Sequence, residues 1–214
     1  MTKPIGILGG TFDPVHHGHL RLAVDVLNAC VLEQVSLIPL HIPAHRQNPI
    51  ASVQQRLQML RLAIEGVSGL AVDERELERG SVSFALDTLC SIREEVGEQP
   101  LCLIMGMDAF QKLNSWYEWK SLSEYSHILV ARRPGIEAEI ENADVRRFYE
   151  QYRTEAVSDL HTNKAGQIYN VEISELNISS TKIRELIMTK RDAHFLLPEN
   201  VLSYIEKEDL YHRH

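Results

Sequence analysis

Short apolar runs alternate with amphipathic stretches along most of the chain. The runs predict buried strands over residues 4–9, 34–39, 70–73, 101–106, 127–132 and 168–173. Apolar residues at helical spacing predict helices over 18–30, 53–66, 84–96, 142–154, 179–188 and 198–207. In the second helix we expect Leu57, Leu60 and Ile64 to face the core. Strands separated by helices form a parallel sheet covered on both faces, so the pattern predicts an α/β fold, doubly wound and mainly parallel.

The size and charge of the chain limit the classes of protein to which it can belong. A chain of 214 residues with 44% hydrophobic residues fits one domain, 1–214, with a small helical part from about residue 179. A net charge of −8 argues against a nucleic-acid binder, which usually carries a clustered basic surface. We expect neither a signal peptide nor a membrane span, because the first residues are glycine-rich and no apolar run is long enough. Because the three cysteines are scattered without a CxxC pair, we expect free thiols in a reducing cytoplasm.

The turn after the first predicted strand carries the strongest chemical signal. In doubly wound sheets, ligands bind beyond the carboxyl ends of the strands, where the strand order reverses. That turn reads Gly9-Gly10-Thr11-Phe12-Asp13-Pro14-Val15-His16-His17-Gly18-His19. The two glycines allow close approach of a ligand to the backbone, and a helix that starts near Gly18 favours an anion. His16 and His19 can each donate a hydrogen bond to a phosphate oxygen, with room left at Gly18.

The histidine pair does not fit the common alternative motifs. The chain has neither GxxxxGK[ST] nor GxGxxG, so it lacks the P-loop and the dinucleotide fingerprint. A zinc site needs three or four ligands, and no nearby Cys, Glu or further His completes one. The remaining alternative is that both histidines are turn residues packed on the core.

A second anion-ready helix start lies late in the chain. Ser179, Ser180 and Thr181 precede an apolar periodic run, which predicts a helix N-terminus there. The hydroxyls and free amides could hold phosphate, and Arg184 lies one turn further on with a fork of donors. Plain helix capping would explain the same residues. Two such helix starts in one α/β chain favour a phosphate-binding function.

The two motifs together resemble those of the nucleotidyltransferases with a Rossmann-like fold. Within that superfamily, the chain is similar to the bacterial nicotinate-nucleotide adenylyltransferases, whose opening differs only at Val15 and His17. The resemblance extends nearly end to end. The further segments that carry it are Ile42-Pro43-Ala44-His45-Arg46, Leu77-Glu78-Arg79-Gly80, Ser83-Phe84-Ala85-Leu86-Asp87-Thr88-Leu89, Met105-Gly106-Met107-Asp108, Trp116-Tyr117-Glu118-Trp119 and the C-terminal stretch from Leu197-Pro198 to Leu210-Tyr211. Arg46, Phe84 and Ala85 depart from the family pattern.

This resemblance implies the synthesis of deamido-NAD and pyrophosphate from ATP and nicotinate mononucleotide, in NAD biosynthesis. The catalytic residues would be His16, His19 and Arg184. ATP would lie against Gly9, Gly10, Thr11, Phe12, Gly18, His45, Arg46, Ser179, Ser180 and Thr181. Arg133, which follows a predicted strand on the expected ligand side, would contact its adenine or ribose. Mg²⁺ would arrive with ATP, because magnesium binds mainly through substrate phosphates and water, and no protein metal ligand is expected. We expect the protein to be a monomer or a homodimer, with neither nucleic acid nor a membrane as a partner.

The acceptor pocket is expected from the middle of the chain. Its residues would be Ser83, Ala85, Thr88, Asp108, Trp116 and Tyr117, with the two aromatic faces against the pyridine ring. A packed aromatic cluster would explain Trp116 and Tyr117 equally, a helix cap would explain Asp108, and Arg133 could simply be solvated.

Three rival functions remain open from the sequence. The chain could be another nucleotidyltransferase, similar to phosphopantetheine adenylyltransferase or to a cytidylyltransferase, since the phosphate motifs barely separate these enzymes. It could also be a nucleotide-binding sensor without turnover, although such a module would not need both His16 and His19. A zinc-dependent hydrolase is the third.

Overall fold

The computed structural model describes residues 2–43, 48–132, 139–174 and 176–212. Within these ranges the strands are β1 (Ile5–Gly10), β2 (Gln34–Pro39), β3 (Ile42–Pro43), β4 (Leu70–Val72), β5 (Val82–Ser83), β6 (Leu101–Gly106), β7 (His127–Arg132), β8 (Arg153–Thr154) and β9 (Ile168–Glu172). The helices are α1 (His17–Ala29), α2 (Val53–Ile64), α3 (Arg75–Arg79), α4 (Ala85–Val96), α5 (Met107–Phe110), α6 (Leu122–Tyr125), α7 (Ala143–Tyr152), α8 (Asp159–Thr162), α9 (Ser180–Met188) and α10 (Glu199–Lys207). Two 3₁₀ turns, Leu113–Ser115 and Trp119–Ser121, lie between α5 and α6.

Seven of these strands form one parallel sheet in the order β4-β2-β1-β6-β7-β9-β8. From β1 the chain adds β2 and β4 on one side, then returns to build β6, β7 and β9 on the other. The strand order therefore reverses between β1 and β6, which is where a doubly wound sheet opens a crevice. The α/β, doubly wound and parallel fold predicted from the sequence is confirmed.

Alternate residues of the strands pack into two different apolar clusters. Ile7 belongs to one cluster and Leu8 to the other, and Leu103 and Ile104 divide in the same way. Side chains of α1, α2, α9 and α10 complete one cluster, and those of α4, α6 and α7 complete the other. Because both faces of a strand are buried, the strands read as continuous apolar runs in the sequence.

The buried face of α2 differs from the predicted one. Its buried residues are Arg56, Met59, Leu60 and Ala63, which include the predicted Leu60. Leu57 and Ile64 are half-buried, and Ile64 packs against the apolar cluster. Arg56 is 1% exposed. An arginine can occupy such a position only with hydrogen-bond acceptors in place, and its partners include the loop that follows β1.

The polar stretch 139–166 is partly integrated into the fold. Residues 153–154 form β8, which pairs in parallel with β9 at the edge of the sheet. Helix α7 buries Val145 and Phe148, and Leu160 of α8 is also buried. This burial is hard to predict from the sequence, because the few apolar residues lie among many charged ones.

The C-terminal helices pack on the same apolar cluster as α1 and α2. Ile183, Ile187, Val201 and Ile205 contribute buried side chains to it. The Asn200 side chain also donates a 2.7 Å hydrogen bond to the carbonyl of Leu62 in the last turn of α2. Across the described ranges, none of the helices has both the length and the apolar character needed to cross a membrane.

Candidate active site

The loop between β1 and α1 presents two histidines at the first turn of a helix. His16 is the N-cap of α1 and makes no side-chain capping bond, while His19 lies three residues further on. Their imidazole rings stack with centroids 3.7 Å apart and an interplanar angle of 24°. The Phe12 and His19 rings meet edge to face, with centroids 5.0 Å apart at 78°. The two imidazoles therefore form one unit beside the positive end of the α1 dipole.

Glycines on either side of this loop, Gly10 at the end of β1 and Gly18 in α1, make room for the protein's own rings. A Cβ at Gly18 would lie 3.0 Å from ring atoms of His16. A Cβ at Gly10 would lie 2.7 Å from the ring of Phe12, which is 1% exposed and has a positive φ of 51°. Any contact of Phe12 with a ligand would thus come from its backbone. Gly10 and Gly18 allow the histidine pair to pack directly on the loop.

Burial keeps the His16 imidazole neutral. Desolvation, together with the neighbouring His17, lowers the pKa of His16 to about 4. Its Nδ1 is buried and finds no hydrogen-bond partner within the described residues. A neutral imidazole stacks on His19 without charge repulsion and still carries one N–H donor. Its contribution to an anion site at neutral pH is therefore a hydrogen bond rather than a full charge.

The start of α9 lies against the same loop. The Ser180 hydroxyl donates to the carbonyl of Pro14 at 2.9 Å, and Arg184 Nη1 donates to the carbonyl of Asp13 at 2.5 Å. Arg184 Nη2 lies 3.4 Å from the Thr181 hydroxyl. The Ser179 side chain caps α9 by accepting from the amide of Lys182. The two motifs, more than 160 residues apart in sequence, thus meet beyond the carboxyl end of β1.

The segments predicted for the acceptor pocket also meet. The rings of Phe84 and Tyr117 lie 5.0 Å apart at a tilt of 42°, and Tyr117 is 53% exposed. Trp116 is half-buried against the apolar cluster of the α4 face. Asp108 is exposed and folds back so that its Oδ1 would lie 2.7 Å from a Cβ at Gly106. The exposed aromatic face here belongs to Tyr117.

Two hydroxyls of the predicted acceptor pocket are engaged within the protein. Ser83 Oγ accepts from the amide of His41 at 3.0 Å. Thr88 Oγ1 donates to Glu76 Oε1 at 2.6 Å and accepts from Arg79 Nη2 at 3.1 Å. Burial raises the pKa of Glu76, and the hydroxyls of Ser83 and Thr88 limit that rise. These groups hold the start of α4 against α3, which the sequence did not suggest.

The sequence matches known families over most of its length. Residues 7–186 match the family described as Cytidylyltransferase-like. The chain is 43% identical over 211 residues to a probable nicotinate-nucleotide adenylyltransferase of Aeromonas salmonicida, covering 99% of this chain and 98% of that protein. It is 44% identical over 208 residues to the protein of the same description in Methylococcus capsulatus, covering 97% and 99%.

The chain belongs to the nicotinate-nucleotide adenylyltransferase family.

Solved structures of two related complexes have a similar fold. The nicotinic acid mononucleotide adenylyltransferase of Plasmodium falciparum, complexed with NaAD, superposes with a TM-score of 0.73 at 19% identity, covering 98% of this chain and 97% of that one. The same enzyme complexed with APC superposes with a TM-score of 0.71 at 18% identity, covering 98% and 97%. At this identity the likeness establishes the Rossmann-like fold. The recognition made from the motifs is confirmed.

Some of the residues predicted from the family pattern fall outside the described ranges. His45, Arg46 and Arg133 are among residues 44–47 and 133–138, which the structure does not describe. Most of the others form two groups. Gly9, Gly10, Thr11, Phe12, His16, Gly18, His19, Ser179, Ser180, Thr181 and Arg184 cluster where β1 ends, and Ser83, Ala85 and Thr88 lie at the turn that brings Phe84 to Tyr117.

The competing zinc hypothesis can be compared with the residues that the structure describes. In the part of the chain that the structure describes, no three His, Cys, Asp or Glu side chains come together as metal ligands. His16 and His19 therefore lack the third and fourth donors of a protein zinc site in those ranges.

Three residues that hold the histidine loop could not be singled out from sequence patterns. Asp13 stands inside the motif, between the glycine turn and the histidine pair, and that position is the signal that could have found it. Arg56 is hidden in an amphipathic helix, where an arginine is expected to face solvent. Tyr211 belongs to a family-like C-terminal stretch without a predicted role. All three are buried and connect to the loop through hydrogen bonds.

Proposed function

We propose that this protein transfers the adenylyl group of ATP to nicotinate mononucleotide. An oxygen of the acceptor phosphate forms a bond to the α-phosphorus. The bond from that phosphorus to the oxygen bridging the β-phosphate breaks, and pyrophosphate leaves with this oxygen and its electron pair. The products are deamido-NAD and pyrophosphate. The acceptor phosphate is already anionic at neutral pH, so no protein base is needed.

One observation carries the phosphate site: the start of α9 is bonded to the histidine loop through Ser180 and Arg184. A triphosphate in that cleft would meet imidazole, hydroxyl, amide and guanidinium donors from two helix starts. His16 and His19 are assigned to the α-phosphate, where negative charge grows during transfer. The side chains of Arg184 and Thr181 and the backbone amide of Ser180 are assigned to the β- and γ-phosphates, since the Ser180 hydroxyl already donates to the carbonyl of Pro14.

Catalysis here rests on positioning and on preorganised donors. Stacking fixes the two imidazoles against each other, and Phe12 supports His19 through its ring. Donors that are fixed before the reaction need no reorganisation when charge develops, so they lower the barrier more than mobile donors. Mg²⁺ would enter as part of the Mg-ATP substrate and would neutralise part of the phosphate charge.

The acceptor ring is assigned to the exposed face of Tyr117, with Trp116 beside it and Asp108 in α5, directly after β6. Helix α4 begins at Ala85 after Phe84, a residue that makes no side-chain capping bond. Its first amides are therefore available to a carboxylate such as that of nicotinate. Ser83 and Thr88 support the pocket indirectly by stabilising this turn, since their hydroxyls form hydrogen bonds within the protein.

The test is a pyrophosphate-release assay with Mg-ATP and a panel of acceptors. We expect turnover with nicotinate mononucleotide, with deamido-NAD identified by mass spectrometry. Phosphopantetheine and phosphocholine, the latter with CTP, represent the rival transferases. Turnover with either of these and none with a pyridine mononucleotide would overturn the assignment. If the protein binds ATP but releases no pyrophosphate with any acceptor, a nucleotide-binding sensor would be favoured.

A further inference from the structure

The carboxylate of Asp13 is a buried junction between distant parts of the chain. It is 4% exposed. Its Oδ2 accepts from the amide of Ile50 at 2.8 Å, and its Oδ1 accepts from the amide of Ala51 at 3.1 Å. Oδ1 also accepts from the hydroxyl of Tyr211 at 2.7 Å, across 198 positions of sequence. Both oxygens are therefore fixed in direction.

The backbone of the same loop is held from its other sides. Arg56 Nη1 donates to the carbonyl of Thr11 at 2.8 Å, and Arg184 Nη1 donates to that of Asp13 at 2.5 Å. Ser180 donates to the carbonyl of Pro14 at 2.9 Å. His16 follows this anchored segment by two residues. Small movements of Asp13 would thus be carried directly into the histidine pair.

Tyr211 donates a side-chain hydrogen bond to the Asp13 carboxylate, and Arg184 Nη1 lies 3.8 Å from Asp13 Oδ2 as an ion pair. Tyr211 is 8% exposed and belongs to the apolar cluster of α1, α2 and α10. Burial and the Asp13 charge raise the pKa of Tyr211, so its hydroxyl stays protonated and donates. The charged acceptor makes this hydrogen bond stronger than one between neutral groups.

We propose that Tyr211 is a positioning residue for adenylyl transfer: its hydrogen bond to Asp13 fixes the loop that places His16 and His19 on the reacting phosphate. The inference rests on the proposed function. Donors that stabilise a transition state must be held within a few tenths of an ångström, so loosening their support lowers turnover. Substrate affinity depends on many contacts and should change little.

The experiment compares Tyr211→Phe with Tyr204→Phe in the full chain. Tyr204 lies on α10 and packs on the same cluster, so it is a matched control for ring packing. A hydrogen bond to a charged group is worth about one to two decades in an equilibrium. We therefore expect kcat per folded molecule to fall about tenfold for Tyr211→Phe, with KM for both substrates within about twofold. Tyr204→Phe should keep the wild-type kcat.

A third protein carries p-aminophenylalanine at 211, which retains the ring and restores an N–H donor. It should recover most of the lost kcat if the hydrogen bond is what matters. An unchanged kcat for Tyr211→Phe, or a rise in KM alone, would overturn the proposal. So would activity that falls only in proportion to the folded fraction, measured by near-ultraviolet circular dichroism, because the hydroxyl would then serve folding alone.

A second readout does not depend on catalysis. In ¹H–¹⁵N spectra of the histidine side chains, Tyr211→Phe should shift the signals of His16 and His19 and leave those of His127 and His161 in place. If the wild type makes no deamido-NAD but these shifts occur, the proposed function fails and the positioning contact stands. If the wild type is active and neither kcat nor the shifts change, the positioning role fails alone.

Discussion

His16 and His19 stack at 3.7 Å in the first turn of α1, and the ring of His16 lies over Gly18. The stack gives the two imidazoles a fixed mutual orientation without any ligand. It also explains why glycine separates them, since a side chain at 18 would displace the His16 ring. This pair is the centre of the proposed phosphate site.

Replacing His19 by alanine should reduce turnover far more than ATP binding. Its donor would matter most when charge develops on the α-phosphate, and loss of one such preorganised donor typically costs about 10²–10³ in kcat. The measurements are steady-state pyrophosphate release and calorimetric binding of ATP. His194→Ala is the control, because His194 sits on the surface beside Asp192. Near wild-type turnover in His19→Ala would refute the assignment.

His16 should make the stability of the free protein depend on pH. Its pKa is about 4 in the folded state, against an ordinary value of 6.5. Above pH 6.5 both states are neutral and the full stability is present. As the pH falls from 6.5 towards 4, the unfolded chain binds the proton first, so the free energy of unfolding decreases by up to about 3 kcal/mol.

Urea unfolding at several pH values between 7.5 and 4.5 measures this effect in the wild type and in His16→Gln. The pKa of His127 is also lowered by burial, so both proteins lose some stability on acidification. The difference between the two curves isolates His16. Curves that run parallel across this range would contradict the buried neutral imidazole.

Arg56→Met should destabilise the protein strongly although α2 is an outer helix. Arg56 donates to the carbonyls of Thr11 and Leu40, and methionine would leave both without these partners. We expect the free energy of unfolding to fall by about 3 kcal/mol or more. Arg61→Met on the same helix is the control, since Arg61 is largely exposed and its pair with Glu74 should be worth less than about 1 kcal/mol. Equal losses in chemical denaturation would contradict the role of Arg56.

Much of the fold could be predicted from the sequence, because most of its strands and helices have local patterns of apolar residues. Every predicted strand and every longer helix appears, because buried parallel strands and amphipathic helices have distinct apolar patterns. Strands β3, β5 and β8 were missed, since two residues give no periodic signal. The predicted face of α2 was right for Leu60 and missed Arg56, a charged residue that the apolar pattern places in solvent but that is buried in the structure.

The sequence predicts the individual residues of the candidate site, whereas the contacts that hold them in place come from the fold. The histidine motif and the start of α9 are each continuous in sequence, so they could be recognised there. The hydrogen bonds Tyr211–Asp13 and Thr88–Glu76 join residues that no local sequence pattern pairs with each other. Contacts of this kind follow only from tertiary structure.

Nicotinate mononucleotide should be preferred over its amide. Amides at the start of α4 would pair with both carboxylate oxygens, whereas a carboxamide NH₂ would face a donor. One such unpaired group costs about 1–3 kcal/mol, which corresponds to roughly ten- to hundredfold in kcat/KM. The check is kcat/KM for both mononucleotides at saturating Mg-ATP, repeated in Ala85→Thr, where an added hydroxyl should favour the acid further. Equal values, or a preference for the amide, would falsify this expectation.

The most direct test of the proposed site is a crystal structure with deamido-NAD and pyrophosphate bound. We predict phosphate oxygens within about 3 Å of donors from His16 or His19 and from Ser180, Thr181 or Arg184. We also predict the pyridine ring against Tyr117. Phosphates bound away from the end of β1, or a pyridine ring with no contact to Trp116 or Tyr117, would contradict the assignment.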